Sequence, residues 1–288
     1  GGGSLVSGGL TLDNASSKLL LNSITVDNVS TTSDSLGLDV DADSTVTSLS
    51  VANITPVSIA SGKILSGAIT VTAGSIKLAE TGKLASTISM SGGVLDADNS
   101  LTVSGALSHT DDITIDVADT KTLTYTGTAI SLGANTLTLT GGGSLVSGGL
   151  TLNDPSSKLL LNSITVDSVS TAIDNSLGVD VDNDSTITSL SVANITPVSI
   201  ASGKTLSGAI TVTAGSIKLA ETGKLASTIS MSGGVLDADN SLTVSGALTH
   251  TGNITIDVAD TKTLTYSGTA ISVGANTVTL SGGGSLVS

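Results

Sequence analysis

The chain has 288 residues, 24 acidic and 10 basic side chains, a net charge of −14, and neither Cys, Trp nor Phe. That balance excludes phosphate-neutralising contact with nucleic acid and electrostatic docking on anionic membrane surfaces. The lack of Cys excludes disulfides, thiolate metal sites and cysteine nucleophiles, and a mean hydropathy of +0.41 with 12% charged residues lies outside the disordered class.

The stretch Gly1–Leu12, GGGSLVSGGLTL, returns letter for letter at Gly141–Leu152 and begins a third time at Gly282–Ser288. Residues 1–140 form a first long repeat unit, residues 141–281 a second with one inserted residue, Asn175, and residues 282–288 open a third. Seventeen substitutions separate the two copies over 140 aligned positions. Repetition on this scale points to architecture before chemistry, and the chain is expected to be a window of a longer array.

Along one unit, Ile24–Val26, Leu36–Ala42, Ile69–Thr72, Leu101–Val103, Ile113–Val117, Leu123–Tyr125 and Leu137–Leu139 alternate aliphatic with polar residues. Period-2 alternation with β-branched content predicts half-buried strands. Between them, Ser61-Gly62-Lys63, Thr81-Gly82-Lys83, Asp98-Asn99-Ser100 and Gly133-Ala134-Asn135 supply turn residues. No stripe of helical period is found, and no apolar run reaches membrane-spanning length. The fold class is all-β.

The aliphatic residues Leu19, Val46, Leu65, Leu84, Leu101, Leu123, Leu137 and Leu159 open successive segments, seven steps over 140 residues, about 20 per step. That is the size of one coil of a parallel β-helix, or β-solenoid, with coils advancing by about 4.8 Å. Fourteen such coils would make a rod of about 65–70 Å on that spacing. A thin tube accepts Val, Ile, Leu and Ala inside, which accounts for the lack of large rings. A single coil buries too little to offset its ordering entropy, so stability must come from stacking. A tandem of β-sandwich modules is the alternative, but the core Trp and tight Asn-Gly or Asp-Gly hairpin turns are missing.

The stretches GANTLTLTGGGSLVSGGLTL (Gly133–Leu152) and SGKILSGAITVTAGSIKLAETGKL (Ser61–Leu84) resemble β-helical repeats of large secreted bacterial surface proteins, the filamentous-haemagglutinin type and autotransporter passengers. The resemblance spans the chain and rests on Gly-, Thr- and Asn-punctuated strands. It implies a right-handed β-helix exported to the cell surface, acting as stalk or adhesin. Two departures stand out: the 140-residue unit is unusually uniform, and without Arg no Arg-Gly-Asp motif is available. Both favour a non-enzymatic shaft over a receptor-binding tip. Its partners are then further copies of itself, joined end to end or laterally into fibres. The second reading is a module that binds glycans, Ca²⁺ or another cell. An enzyme of the β-helical lyase or hydrolase kind is the third, and the lack of aromatic sugar platforms speaks against it.

Several local patterns have chemistry to offer. Asp39, Asp41 and Asp43, repeated as Asp180, Asp182 and Asp184, are candidate Ca²⁺ ligands, because alternation on a strand would put the carboxylates on one face. Position six of an EF-hand-like loop is Ser44 instead of Gly and position twelve is Ser50 instead of Glu, so a solvated acidic face is the other explanation. Asp96/Asp98 and Asp116/Asp119, with Asp237/Asp239 and Asp257/Asp260, are weaker cases. No other cofactor is expected. His109-Thr110-Asp111-Asp112 resembles an acid–base cluster, yet the second copy has His250-Thr251-Gly252-Asn253. Ser202-Gly203-Lys204-Thr205 resembles the end of a phosphate loop, without its upstream Gly. The Thr-x-Thr pairs Thr70/Thr72, Thr124/Thr126 and Thr138/Thr140 raise an ice-binding face, which would need such pairs in register on nearly every coil.

Overall fold

The computed structural model describes residues 2–6 and 8–288; Gly1 and Ser7 of the opening repeat stretch lie outside the described residues. It is an all-β parallel β-solenoid with no helix among the described residues, and so with no helix long and apolar enough to cross a membrane. The chain divides into two compact units, Gly1–Ile130 with Leu137–Gly148 and Ser131–Thr136 with Gly149–Ser288.

In the first unit each coil contributes one strand to a short-strand sheet: Lys18–Leu21, Gly37–Val40, Ile54–Ile59, Ser75–Leu78, Val94–Ala97, Ile113–Val117 and Thr136–Thr140. Every neighbour in this series pairs in parallel. The column Leu19, Leu38, Val57, Leu78, Ala97 and Val117 steps by 19, 19, 21, 19 and 20 residues. The other sheet carries the eight-residue strands Ile24–Thr31, Ser44–Val51 and Ile64–Val71, and then coils broken in two, such as Lys83–Leu84 with Thr87–Met90 and Leu101–Val103 with Leu107–His109. Parallel pairing requires the chain to travel a whole coil between partners, and here that journey is the coil itself.

The second unit repeats the plan on its own residues. Its short-strand series runs Lys158–Asn162, Gly178–Val181, Ile195–Ile200, Ser216–Leu219, Val235–Ala238, Ile254–Val258 and Val278–Ser281. The steps from Leu159 through Val179, Val198, Leu219 and Ala238 to Val258 are 20, 19, 21, 19 and 20. The first step gains its residue from Asn175, which sits in the turn before Gly178 with a left-handed φ of 60°.

The mean of about 20 residues per coil agrees with the sequence expectation; the individual steps do not. Val46 and Leu65 open successive segments in the sequence, whereas Leu65 pairs with Ser44 and Val46 with Gly67. Likewise Leu84 pairs with Val103, not Leu101. Within the first of these pairings a bulge between Val46 and Ser48, facing Gly67, shifts the register by one further residue. At Gly67 the φ is +126° and a Cβ would lie 1.7 Å from the Val46 carbonyl oxygen, so only glycine lets the coils approach there.

Inward positions are aliphatic and sealed: Leu49, Val51, Val71, Ile76, Leu84 and Met90 are fully buried. Burial of such side chains contributes about 1.5–3 kcal/mol each. A few interior positions are polar and satisfied by stacking. Thr55 Oγ1 donates to Thr31 Oγ1 at 3.1 Å, and Thr196 Oγ1 to Thr171 Oγ1 at 3.0 Å. Such pairs place a hydroxyl inside without leaving it orphaned.

Candidate functional site

Outward side chains in a solenoid fall into columns that run from coil to coil, so any site must be built from such columns and from the corners. The short-strand sheet carries the charged ones. Lys18 Nζ lies 2.6 Å from Asp39 Oδ2, and Lys158 Nζ lies 2.7 Å from Asp180 Oδ2. Further along, Lys77, Asp96 and Asp116 stand in register on three successive strands. Lys77 Nζ is 3.3 Å from both Asp96 Oδ2 and Asp98 Oδ2. The second unit repeats this with Lys218, which is 3.8 Å from Asp237 Oδ2 and 3.3 Å from Asp239 Oδ2.

Burial lifts the Asp96 carboxyl above its ordinary value of 3.8; the charge of Asp98 adds to the rise, and Lys77 works against it. Asp237 is lifted for the same reasons, burial first and then Asp239. Lys77 is itself raised, chiefly by its hydrogen bond with Asp98 and the charge of Asp96. Parallel strands force Asp96 beside Asp116, a like-charge stack that costs energy in a sheet.

The candidate calcium carboxylates do not lie on one strand. The strand that bears Asp39 ends at Val40, and residues 41–43 form the turn before Ser44. Alternation therefore does not carry Asp39, Asp41 and Asp43 along one strand face. Asp39 pairs with Lys18, and Asp43 Oδ1 accepts a hydrogen bond from the Ile64 N–H at 2.9 Å. Asp180 and Asp184 are engaged alike, by Lys158 and by the Thr205 N–H at 2.7 Å. Asp41 and Asp182 are exposed in the turns. Among the described residues no three His, Asp or Glu side chains are grouped so as to hold a metal ion.

The other motifs resolve into turns. Lys204 N donates to the Ala201 carbonyl at 2.9 Å and Gly203 has a φ of +73°, so Ser202–Thr205 is a corner. His109 Nδ1 lies 3.1 Å from the Asp111 carbonyl oxygen and His250 Nδ1 lies 2.9 Å from that of Gly252, each ring closing its own turn. The three Thr-x-Thr pairs do not share a face: Thr70 aligns with Ser50 and Ser89, Thr124 with Thr102, and Thr138 with Thr114 on the opposite sheet.

What sequence reasoning missed is the column that Thr70 belongs to. On the long-strand sheet Thr11, Ser30, Ser50, Thr70, Ser89 and Ser108 stand at one outward register. In the second unit Thr151, Ser170, Ser191, Thr211, Ser230 and Thr249 do the same. Two residues back along the strands runs a second uncharged column, Asn28, Ser48, Ala68 and Thr87. The only signal in the sequence is a hydroxyl residue recurring 19 to 21 positions on.

Also missed were the two tyrosines. Tyr125 is buried, and its hydroxyl accepts the Leu107 N–H at 2.8 Å. Tyr266 accepts from Leu248 N–H at 3.0 Å and donates to the Thr269 carbonyl at 2.6 Å. Glycine two residues on, Gly127 or Gly268, leaves room for the phenol; a Cβ there would meet the hydroxyl at 2.3 or 2.7 Å. The rings plug corners, which is the work of structure.

No known protein family, curated protein or solved structure matches the chain. The fold and its columns are what remains to argue from.

Proposed function

We propose that this chain is part of the non-enzymatic shaft of an extracellular bacterial fibre or giant surface adhesin. The observation that carries the reading is the unbroken parallel ladder within each unit, with every strand of the short-strand series paired to the next. Load along the coil axis is borne by backbone hydrogen bonds, and the aliphatic interior excludes water from them. Length then scales with repeat number, at about 34 Å for seven coils spaced by about 4.8 Å. The chemistry of the surface supports a passive role: Asp39 and Asp96 sit in ion pairs, Asp43 caps a backbone N–H group, and both His rings close their own turns.

Electron micrographs of arrays with increasing repeat number test this. Particle length should rise by about 34 Å per 140-residue unit; compact beads of constant spacing unrelated to coil number would discard it. Calorimetry with and without chelator addresses the Asp39, Asp41 and Asp43 turn. An unmoved melting temperature is expected, since these side chains already have protein partners or face water.

A further inference from the structure

The chain carries 24 carboxylates, yet the central hydroxyl column and its neighbour on the long-strand sheet contain none. From this we propose that this face is where a second copy of the same chain docks, side by side. The inference rests on the shaft reading and names its lateral partner.

Three observations lead to it. First, charge. With a net charge of −14, two copies repel wherever acidic columns meet, and the opposite sheet presents Asp39, Asp96 and Asp116 outward. The two central columns themselves bring no like charges together; on the same sheet Asp27 and Asp167 lie one residue before the second column, Asp13 flanks the hydroxyl column, and Lys83 and Lys224 lie on short strands, few charges against the acidic rows opposite. Second, shape. Ser, Thr, Ala and Asn in parallel register expose short side chains of similar height, the condition under which two sheets interdigitate closely. Hydroxyls are both donors and acceptors, so a facing copy satisfies what it desolvates. Third, recurrence. Both units carry the column, and the changes between them on this face, Asn28 to Ser168 and Ser108 to Thr249, keep it uncharged.

Area sets the strength. Columns about 6.7 Å apart and coils about 4.8 Å apart give each unit's face on the order of 300–500 Å², below the roughly 800 Å² per partner of a stable interface. One face is therefore weak, and pairing strengthens as more units engage together.

Sedimentation of the full 288-residue chain at rising concentration, up to about 1 mM, tests the inference. The weight-average mass should climb from 27.9 kDa towards twice that value, and more readily in high salt, which screens the remaining repulsion. Replacing Ser50, Ser89, Ser191 and Ser230 by Asp should hold the chain at one copy, and so should the four Lys replacements, because either sign then faces itself. Ser58→Asp with Ser199→Asp on the opposite sheet should leave pairing intact. Circular dichroism checks that each variant keeps its β-structure. A wild-type mass that stays at 27.9 kDa, or equal pairing by both sets of variants, overturns the inference. So does a single-copy chain that shapes growing ice crystals, which would assign the face to ordered water. Slender single particles in the micrographs would sink this inference while sparing the shaft; paired compact beads would do the reverse.

Discussion

The two units are one sequence written twice, and the structure sorts the 17 differences between them. Thirteen fall on turns or outward positions, among them Asp13, Ala15, Thr32, Ile64 and Asp111; four exchange Leu, Val or Ile at Leu38, Val46, Leu132 and Leu137, all buried in the first copy. None touches Lys18, Asp39, Lys77, Asp96, Asp98 or Asp116. The lesson is that the fold constrains inward volume and coil spacing while the corners drift, and that the ion-paired column is held as closely as the core. Each copy is thus a control for the other.

The hardest test is at the corner glycines. Gly105→Val should cost about 3 kcal/mol or more, because a Cβ would lie 1.9 Å from the Ser86 carbonyl oxygen; Gly246→Val should match it, at 1.8 Å from that of Ser227. Urea unfolding measures both, and tolerance in either copy would break the equivalence. Next come the phenols. Tyr125→Phe leaves the Leu107 N–H unsatisfied, for about 1–3 kcal/mol, and Tyr266→Phe should cost more, since Tyr266 also donates to Thr269. Hydrogen exchange at Leu107 and Leu248 would locate the loss.

A smaller asymmetry is expected where the copies have drifted. Gly252→Asp puts a Cβ 2.2 Å from the Ser232 carbonyl oxygen and should cost about 1–2 kcal/mol, more than Asp111→Gly in the first copy. Equal costs would mean that the two turns share one backbone path. The mildest effect belongs to the charged column. Lys77→Ala and Lys218→Ala should each change stability by no more than about 1 kcal/mol, as partly exposed ion pairs do. For Asp96 and Asp237 the folded carboxyl titrates above its unfolded value of 3.8, so their contribution is fully present below that value and is lost as pH rises through the raised one. Asp96→Asn and Asp237→Asn should flatten that part of the stability–pH profile equally, measured by urea midpoints across the acid range.

Much of this architecture was legible in the residues themselves. Alternation gave Ile113–Val117 and Leu101–Val103 with the observed bounds, and small aliphatics without large rings indicated a thin interior. Register was not legible, because which residue lies beside which, Leu65 beside Ser44 and Leu84 beside Val103, is set between coils and not along the strand. The placement of the acidic triplet on one strand face was not legible either, because nothing in the alternation marks that the strand ends at Val40 and that Asp41 and Ala42 turn. The hydroxyl columns were hidden because their members are neighbours across coils, with Ser30 beside Ser50 and Ser50 beside Thr70, while Thr-x-Thr searches look along a single strand.

Asn175 shows what such a body allows. One extra residue enters between Asp174 and Ser176 and folds outward, yet Asp174 Oδ1 still caps the Ile195 N–H at 2.8 Å as Asp34 Oδ1 caps that of Ile54 at 3.0 Å. The circumference of a coil is therefore adjustable at this bend without disturbing its neighbours. A peptide epitope or a small enzyme spliced in at 174–176 would ride on the outside of its coil, carried by a scaffold that need not be redesigned to hold it.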